Sequence, residues 1–131
     1  MPKVLIVDDD AQATALIADV LNMYGYETET LNVSAKTIEV ATSFKPEVFV
    51  LDLMMPPPDG FKLCRMLRAD PNFRHTPILI VTALNDTDSK IVALGAGASD
   101  YMAKPFEIDE LALKVKTLLE KKASNVGKPK V

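Results

Sequence analysis

Residues 47–55 read EVFVLDLMM, and in this segment a short apolar run ends at the carboxylate of Asp52. Two other runs have the same form, VLIV at 4–7 and ILIV at 78–81, and each is followed at once by a polar residue. All three are apolar at every position, which is typical of strands in a parallel sheet that helices cover on both faces. The pattern predicts a sheet whose central strands end in polar side chains.

Two more strand candidates complete a set of five, and helical patterns separate them. The five candidates span residues 4–7, 27–31, 47–51, 78–81 and 99–103. This alternation is typical of the α/β class, in which helical crossovers join parallel strands. The second candidate, ETETL, alternates and carries two glutamates, so we predict it at an edge of the sheet, where charge discourages pairing with a neighbouring molecule.

Five helices are predicted from apolar residues at helical spacing. The first is marked by Leu16, Ile17, Val20, Leu21 and Tyr24, and the last by Ile108, Leu111, Ala112, Val115, Leu118 and Leu119. Weaker patterns mark the three helices between them, with Ile38 and Ala41, with Phe61, Cys64 and Leu67, and with Ile91 and Leu94. Asp10 is placed to cap the first helix, and Gly25 to end it.

The composition is that of one soluble globular domain. The 131 residues are 48% hydrophobic and 25% charged, and no apolar run approaches the roughly 20 residues that span a bilayer. We predict a domain over residues 1–121, and a flexible basic tail or the start of a linker over 122–131. The first residues do not resemble a signal peptide, so we expect a cytoplasmic protein with no membrane partner.

Charge and cysteine content argue against several classes of function. Residues 1–120 hold 11 basic and 18 acidic residues, a net charge of −7, whereas 121–131 hold four lysines and no acid. A net acidic body argues against nucleic-acid binding by this domain itself. With one cysteine, Cys64, and one histidine, His75, the chain can form neither an internal disulfide nor a Cys/His metal cluster.

Chemically active side chains gather just after the strands. Ligands of an open α/β sheet bind at the carboxyl ends of its strands, and the residues that follow there are Asp8, Asp9, Asp52, Thr82 and Lys104. Each alone has an ordinary explanation as a helix cap, a turn residue or a solvated lysine. Together, three carboxylates repel one another unless a cation neutralises them, and oxygen ligands with room for water suit Mg²⁺ or Mn²⁺.

A carboxylate beside such a metal ion can act as a nucleophile towards phosphorus. The metal ion, a lysine and a hydroxyl would then compensate the charge on the transferred oxygens. The residue types thus indicate chemistry whose product is an aspartyl phosphate.

Four motifs in order, VLIVDDD, VFVLDLMMPPPDGF, PILIVTA and GASDYMAKPF, resemble the receiver domain of bacterial two-component response regulators. The resemblance covers nearly the whole chain, from about residue 3 to residue 121. It implies a flavodoxin-like, doubly wound sheet of five parallel strands in the order 2-1-3-4-5, with five helices. The strand count from the pattern alone is compatible with that order but does not establish it.

The resemblance also assigns roles at the carboxyl edge of the sheet. Asp52 would take a phosphoryl group from the phosphohistidine of a sensor histidine kinase or a phosphotransfer protein. Asp9 would bind Mg²⁺ directly and Asp8 largely through water, with Asp52 and the Met54 main-chain carbonyl as further ligands. Lys104 would pair with the phosphoryl oxygens, and the bond from Lys104 to the proline that follows it would be cis.

Two residues would carry the signal onward. Thr82 would move to bind a phosphoryl oxygen, and Tyr101 would turn inward and reshape the face formed by the fourth helix, fifth strand and fifth helix. An ordinary strand residue packed against a helix is the alternative for Tyr101. This face would control an output domain or a downstream protein, and phosphorylation could drive homodimer formation there.

The resemblance implies a signalling switch that catalyses only its own phosphorylation and hydrolysis. One alternative is a Mg²⁺-dependent aspartyl-phosphate phosphatase or phosphotransferase, but such enzymes usually need a second acid where this chain has Met54, and they carry a cap insertion that this chain lacks. A plain flavodoxin-like ligand binder is another alternative. Without a metal ion, however, the three aspartates after the first strand would repel a phosphate.

Two departures from the family pattern stand out. Residues 55–60, MPPPDG, carry prolines where the family commonly has glycine and methionine, which predicts a stiff loop with three fewer N–H donors. Met54 and Leu84 lie two positions after Asp52 and Thr82, where family members influence how water reaches the acyl phosphate. Neither side chain can orient a water molecule, so slow self-dephosphorylation is expected.

Overall fold

The computed structural model describes residues 1–125 of the chain and the side chains of residues 1–122. Within this part, five parallel strands form one sheet in the order β2-β1-β3-β4-β5. They are β1 (Lys3–Val7), β2 (Glu27–Leu31), β3 (Val48–Leu51), β4 (Ile78–Thr82) and β5 (Asp100–Ala103). The predicted doubly wound order is confirmed, and each predicted strand is present with its ends within one residue.

The five predicted helices are also present. They are α1 (Ala11–Met23), α2 (Thr37–Phe44), α3 (Gly60–Ala69), α4 (Thr87–Gly95) and α5 (Ile108–Asn125), and one 3₁₀ turn (Ser34–Lys36) precedes α2. Helix α5 continues past the predicted start of the tail, so residues 122–125 belong to it. A lysine in its last turn favours this extension because cations stabilise the carboxyl end of a helix. Residues 126–131 of the predicted tail lie outside the described residues.

The three apolar strands are the central ones, as predicted, and they are buried on both faces. Side chains alternate along a strand, which divides the core into two layers. The layer under α2, α3 and α4 includes Leu5, Phe49, Leu51, Ile80, Leu63 and Leu67. The layer under α1 and α5 includes Val4, Ile6, Val50, Val81, Leu21 and Val115. Strand β2 is at an edge with both glutamates exposed, which confirms its predicted place.

The buried faces of the first and last helices include fewer residues than the apolar patterns mark. Ile17, Val20 and Leu21 of α1 are buried, but Leu16 and Tyr24 are about half exposed, and so is Ile108 at the start of α5. Tyr24 already lies past the last residue of α1, and Gly25 follows it with a positive φ of 89°, as expected at a helix end.

The prediction for α4 is wrong about its inner face. Ile91 and Leu94 mark the helical pattern, yet both are exposed, and Ala93 is the residue of α4 that is buried. Ala93 belongs to the same core layer as Ala96 and Ala98, which follow the helix. Small side chains let the backbone of α4 approach its neighbours, so the largest apolar residues are left outside.

None of the helices in residues 1–125 is both long enough and apolar enough to cross a membrane.

Candidate functional site

The carboxyl edge of the sheet brings together four of the predicted site residues. Asp8 follows β1 and Asp52 follows β3, and these strands are neighbours. Both carboxylates are buried, with 2% and 8% of each residue exposed, and Thr82 at the end of β4 is fully buried. The Lys104 ammonium lies 2.6 Å from Asp8 Oδ2 and 3.1 Å from Asp52 Oδ2. One cation therefore joins two buried carboxylates.

The three consecutive aspartates after β1 have three different environments. Asp8 points into the site, and its Oδ1 accepts a hydrogen bond from the Asp10 N–H at 3.0 Å. Asp10 caps α1 by accepting from the N–H groups of Gln12 and Ala13, as predicted. Asp9 is exposed, and it lines an open cleft of about 500 Å³ together with Met54 and Leu84. Asp9 is thus beside the buried pair, not within it.

Asp52 is held by backbone contacts on both sides. Its N–H donates to the Val7 carbonyl at 3.1 Å, which continues the pairing of β1 and β3. Its Oδ1 accepts from the Met54 N–H at 3.2 Å. The Met54 side chain itself is exposed.

Lys104 reaches the carboxylates from the end of β5. Its N–H donates to the Thr82 carbonyl at 2.8 Å, which extends the β4–β5 pairing by one residue. The bond between Lys104 and Pro105 is cis, as the resemblance implied.

Burial and charge shift the pKa values of these groups in different directions. For Asp8, burial raises the pKa, and the Asp52 charge adds to the rise, while the Lys104 hydrogen bond offsets only part of it. For Asp52, burial also opposes ionisation, but hydrogen bonds from Thr82, Met54 and Lys104 outweigh it and hold the pKa below its usual value. The Lys104 pKa is raised because its two carboxylate partners outweigh its burial. Asp52 is therefore the more readily ionised of the two carboxyl groups.

This donor set fits a hard divalent cation. Carboxylate and carbonyl oxygens are the ligands that Mg²⁺ prefers, and a divalent ion would relieve the burial cost and mutual repulsion that raise the Asp8 pKa. In residues 1–125, however, no three acidic, histidine or cysteine side chains are arranged so that they could already hold a metal ion. Asp9 would therefore have to turn towards the buried pair.

Tyr101 connects the segment after Thr82 to β5. Its ring is buried, and its hydroxyl donates a hydrogen bond to the Leu84 carbonyl. The Leu84 N–H in turn lies 3.4 Å from Thr82 Oγ1. Tyr101 is thus a packed strand residue, and it also contacts the segment that follows Thr82.

Sequence reasoning missed one residue that supports the site. Asn32 follows β2, and its side-chain amide donates to the Asp8 carbonyl at 2.8 Å and to Thr14 Oγ1 at 3.0 Å. The rule that found the other residues, a polar side chain directly after a strand, also applies to Asn32.

The chain is similar to response regulators over most of its length. A family model described as the response regulator receiver domain matches residues 4–116. The DNA-binding dual master transcriptional regulator RpaA of Synechocystis is 37% identical over 92% of this chain and 50% of its own length. The transcriptional regulatory protein PrrA of Mycobacterium tuberculosis is 37% identical over 94% of this chain and 52% of its own length. The chain thus spans about half the length of these curated relatives.

A solved structure gives the same result. The receiver domain of the Francisella response regulator 1452 has a TM-score of 0.85 and 35% sequence identity to this chain, and the match covers 92% of this chain and 98% of that one. Fold, strand order and sequence therefore agree with the resemblance found in the motifs. The chain belongs to the receiver domain family of two-component response regulators.

Proposed function

We propose that Asp52 accepts a phosphoryl group from the phosphohistidine of a sensor histidine kinase or a phosphotransfer protein, and that this domain is a signalling switch. The proposal rests on one observation: at the carboxyl edge of the sheet the Asp52 carboxylate is kept ionised, and the Lys104 ammonium lies 3.1 Å from it. An ionised carboxylate is a nucleophile, and a lysine beside it can compensate charge on transferred oxygens.

The transfer needs little covalent chemistry from the protein. An Asp52 oxygen attacks phosphorus, the P–N bond to the donor histidine breaks, and its electron pair stays on the imidazole nitrogen. Lys104 Nζ lies 3.1 Å from Asp52 Oδ2, and the buried Thr82 ends the neighbouring strand β4, so both lie close to oxygens attached to Asp52. Positioning and charge compensation of this kind supply most of the rate in phosphoryl transfer.

Asp8, Asp9, Asp52 and the Met54 carbonyl would hold Mg²⁺, and Mn²⁺ has the same ligand preferences. When bound, the ion would neutralise charge on the phosphoryl oxygens. Two buried carboxyl groups that share one ammonium, with Asp9 beside them, support this assignment.

The proposed switch is the chain of contacts from Thr82 through Leu84 to Tyr101. A phosphoryl group on Asp52 would draw the Thr82 hydroxyl towards it and disturb the Tyr101–Leu84 hydrogen bond. The segment between Thr82 and Tyr101 contains α4, which exposes Ile91, Val92 and Leu94. Exposed apolar clusters mark interaction sites, so this face would bind an output domain, a downstream protein or, on phosphorylation, a second copy.

The relatives suggest one kind of output. RpaA is named as DNA-binding, and the present chain matches only half of it. Because residues 1–120 carry a net charge of −7, DNA contact would belong to a separate domain and not to this one.

Intact-mass measurement after incubation with acetyl phosphate and Mg²⁺ tests the proposal. We expect one added phosphoryl group, lost in Asp52→Asn and in the presence of excess chelator. Asp70→Asn is the control: this half-buried carboxylate lies at the end of α3 away from Asp52, and the variant should be phosphorylated like the wild type. Addition to Asp52→Asn, or no addition to the wild type, would contradict the proposal.

A further inference from the structure

The first residue of α3 touches the backbone of the proposed phosphoacceptor. A Cβ atom placed on Gly60 would lie 2.2 Å from the Asp52 carbonyl oxygen and 2.6 Å from the Leu53 Cα. Contacts between heavy atoms this short do not occur, and both neighbours are backbone atoms that cannot swing aside as a side chain would. Any side chain at this position must therefore displace either the start of α3 or the end of β3.

The start of α3 is fixed by contacts of its own. The Gly60 N–H donates to the Leu53 carbonyl at 2.9 Å. Asp59 caps the helix by accepting from the Lys62 N–H at 2.8 Å. Further along, Leu63, Cys64 and Leu67 of α3 are fully buried in the core. Moving α3 away would open that core, so a side chain at position 60 would press on the backbone of Asp52 and Leu53.

The loop that joins β3 to α3 is short of backbone hydrogen-bond donors. Three of its residues, Pro56, Pro57 and Pro58, have no N–H to donate. At the start of the loop, the Asp52 N–H bonds to Val7 of β1 and the Leu53 carbonyl accepts from Gly60. In the proline run, the Ser34 hydroxyl donates to the Pro56 carbonyl at 2.9 Å. The position of Met54, whose N–H binds Asp52 Oδ1, therefore depends on how β3 ends against Gly60.

We infer that Gly60 is a positioning residue for phosphoryl transfer at Asp52. Its lack of a side chain lets α3 begin directly against the Asp52 carbonyl, and this contact sets the position of the Asp52 carboxylate and of the Met54 main chain. The inference rests on the proposed function. A misplacement of about 1 Å can cost roughly a hundredfold in rate, because phosphoryl transfer depends on alignment of the reacting atoms.

Gly60→Ala tests this inference, and Gly95→Ala is its matched control. Gly95 is also helical, but a Cβ atom there meets nothing within 4 Å. In Gly60→Ala, Asp52 and Leu53 must move by about 1 Å to restore ordinary contact, so its phosphorylation by acetyl phosphate and Mg²⁺ should slow by roughly a hundredfold. Gly95→Ala should react at the wild-type rate.

Two readouts separate positioning from a loss of stability. The rate is measured at a temperature where thermal unfolding shows each protein to be fully folded. The backbone amide NMR shifts of residues 52–54 report displacement without any reaction. We expect Gly60→Ala to shift these amides while those of β1 and β4 stay in place. A folded Gly60→Ala variant with unshifted amides and a rate within twofold of Gly95→Ala would overturn the inference.

If Gly60→Ala does not fold, Asp59→Ala replaces it. This change removes the cap of α3 without adding an atom near Asp52, so the start of the helix loosens. The inference predicts a shifted Met54 amide and a several-fold lower rate in the folded variant, and an unchanged rate and amide would overturn it. If the wild type itself is not phosphorylated, the proposed function fails, and the amide shifts alone then decide whether Gly60 positions Asp52.

Discussion

Helices α3 and α4 both start beside the site, but they are anchored very differently. Four of the ten residues of α3 are buried, and its first residue rests on the Asp52 backbone. In α4, Ala93 is the one buried residue of nine, and Ile91, Val92 and Leu94 are exposed. Segments with little buried apolar surface open and move most readily. The site therefore lies between a firmly packed helix, α3, and a loosely packed helix, α4.

The two ends of α4 are also tied differently. Beyond its carboxyl end, the Gly97 carbonyl accepts a hydrogen bond from Arg68 Nε at 2.9 Å. The same guanidinium, which belongs to α3, donates to the carbonyls of Phe73 and Thr76, so this end of α4 is bound to α3. At the amino end, the connection to β5 is the Tyr101–Leu84 hydrogen bond. A change at Thr82 would reach the amino end of α4 first.

The largest expected effect is on stability. Leu63→Ala in α3 should lower the free energy of unfolding by about 2–5 kcal/mol, because it leaves a cavity in the core. Leu94→Ala in α4 should cost less than about 1 kcal/mol, because 40% of Leu94 is already exposed. Urea denaturation of the two variants measures both values. Equal losses would mean that α4 is packed as firmly as α3.

The next effect concerns the lifetime of the phosphorylated form. Met54, in the loop before α3, and Leu84, in the segment before α4, line the same cleft, and neither side chain can orient a water molecule. The double variant Met54→Asn, Leu84→Glu should lose its phosphoryl group roughly tenfold faster, because a polar side chain can direct a water molecule towards phosphorus. Decay is followed by intact mass after the donor is removed.

Leu113→Glu is the control for the lifetime experiment, since it places the same charge on an exposed position of α5. Its decay rate should match that of the wild type. If the double variant decays no faster than this control, the two apolar side chains do not shield the acyl phosphate.

The smallest effect is a pH-dependent gain in stability. In the folded protein the Asp8 pKa is raised above the usual carboxyl value of 3.8. Protonated Asp8 therefore stabilises the fold at pH values below 3.8, and this contribution is lost as the pH rises through the folded pKa. Asp8→Asn stays neutral and should be more stable than the wild type by on the order of 1 kcal/mol near neutral pH. Below the usual carboxyl value the advantage should vanish, and thermal unfolding across the pH range would show it. An advantage that stays constant with pH would contradict the assignment.

The sequence predicted the sheet well because its signal is simple. A short, uninterrupted apolar run rich in β-branched residues, such as VFVL at 48–51, is typical of a strand covered on both faces. Asp8, Asp52, Thr82 and Lys104 could be found as residues that directly follow strands. The strand order came from the family resemblance, because local patterns carry no information about which strands pair.

Other features depend on contacts between distant segments. The inner face of α4 is built from Ala93, and the larger Ile91 and Leu94 gave the wrong face. The contact of Gly60 with the Asp52 carbonyl is visible only once α3 is packed on β3. The exposure of Asp9, between a buried and a capping aspartate, likewise follows from the turn that these residues adopt.

Hydrogen exchange measured by mass spectrometry can show whether phosphorylation of Asp52 moves α4 and leaves α3 in place. The protein is compared with and without acetyl phosphate in the presence of Mg²⁺, and Asp52→Asn serves as the control. We expect phosphorylation to change exchange in residues 84–95, which include α4, and to leave residues 60–69 of α3 unchanged, with no effect in Asp52→Asn. Changes in α3 while α4 stays constant, or the same changes in Asp52→Asn, would contradict it.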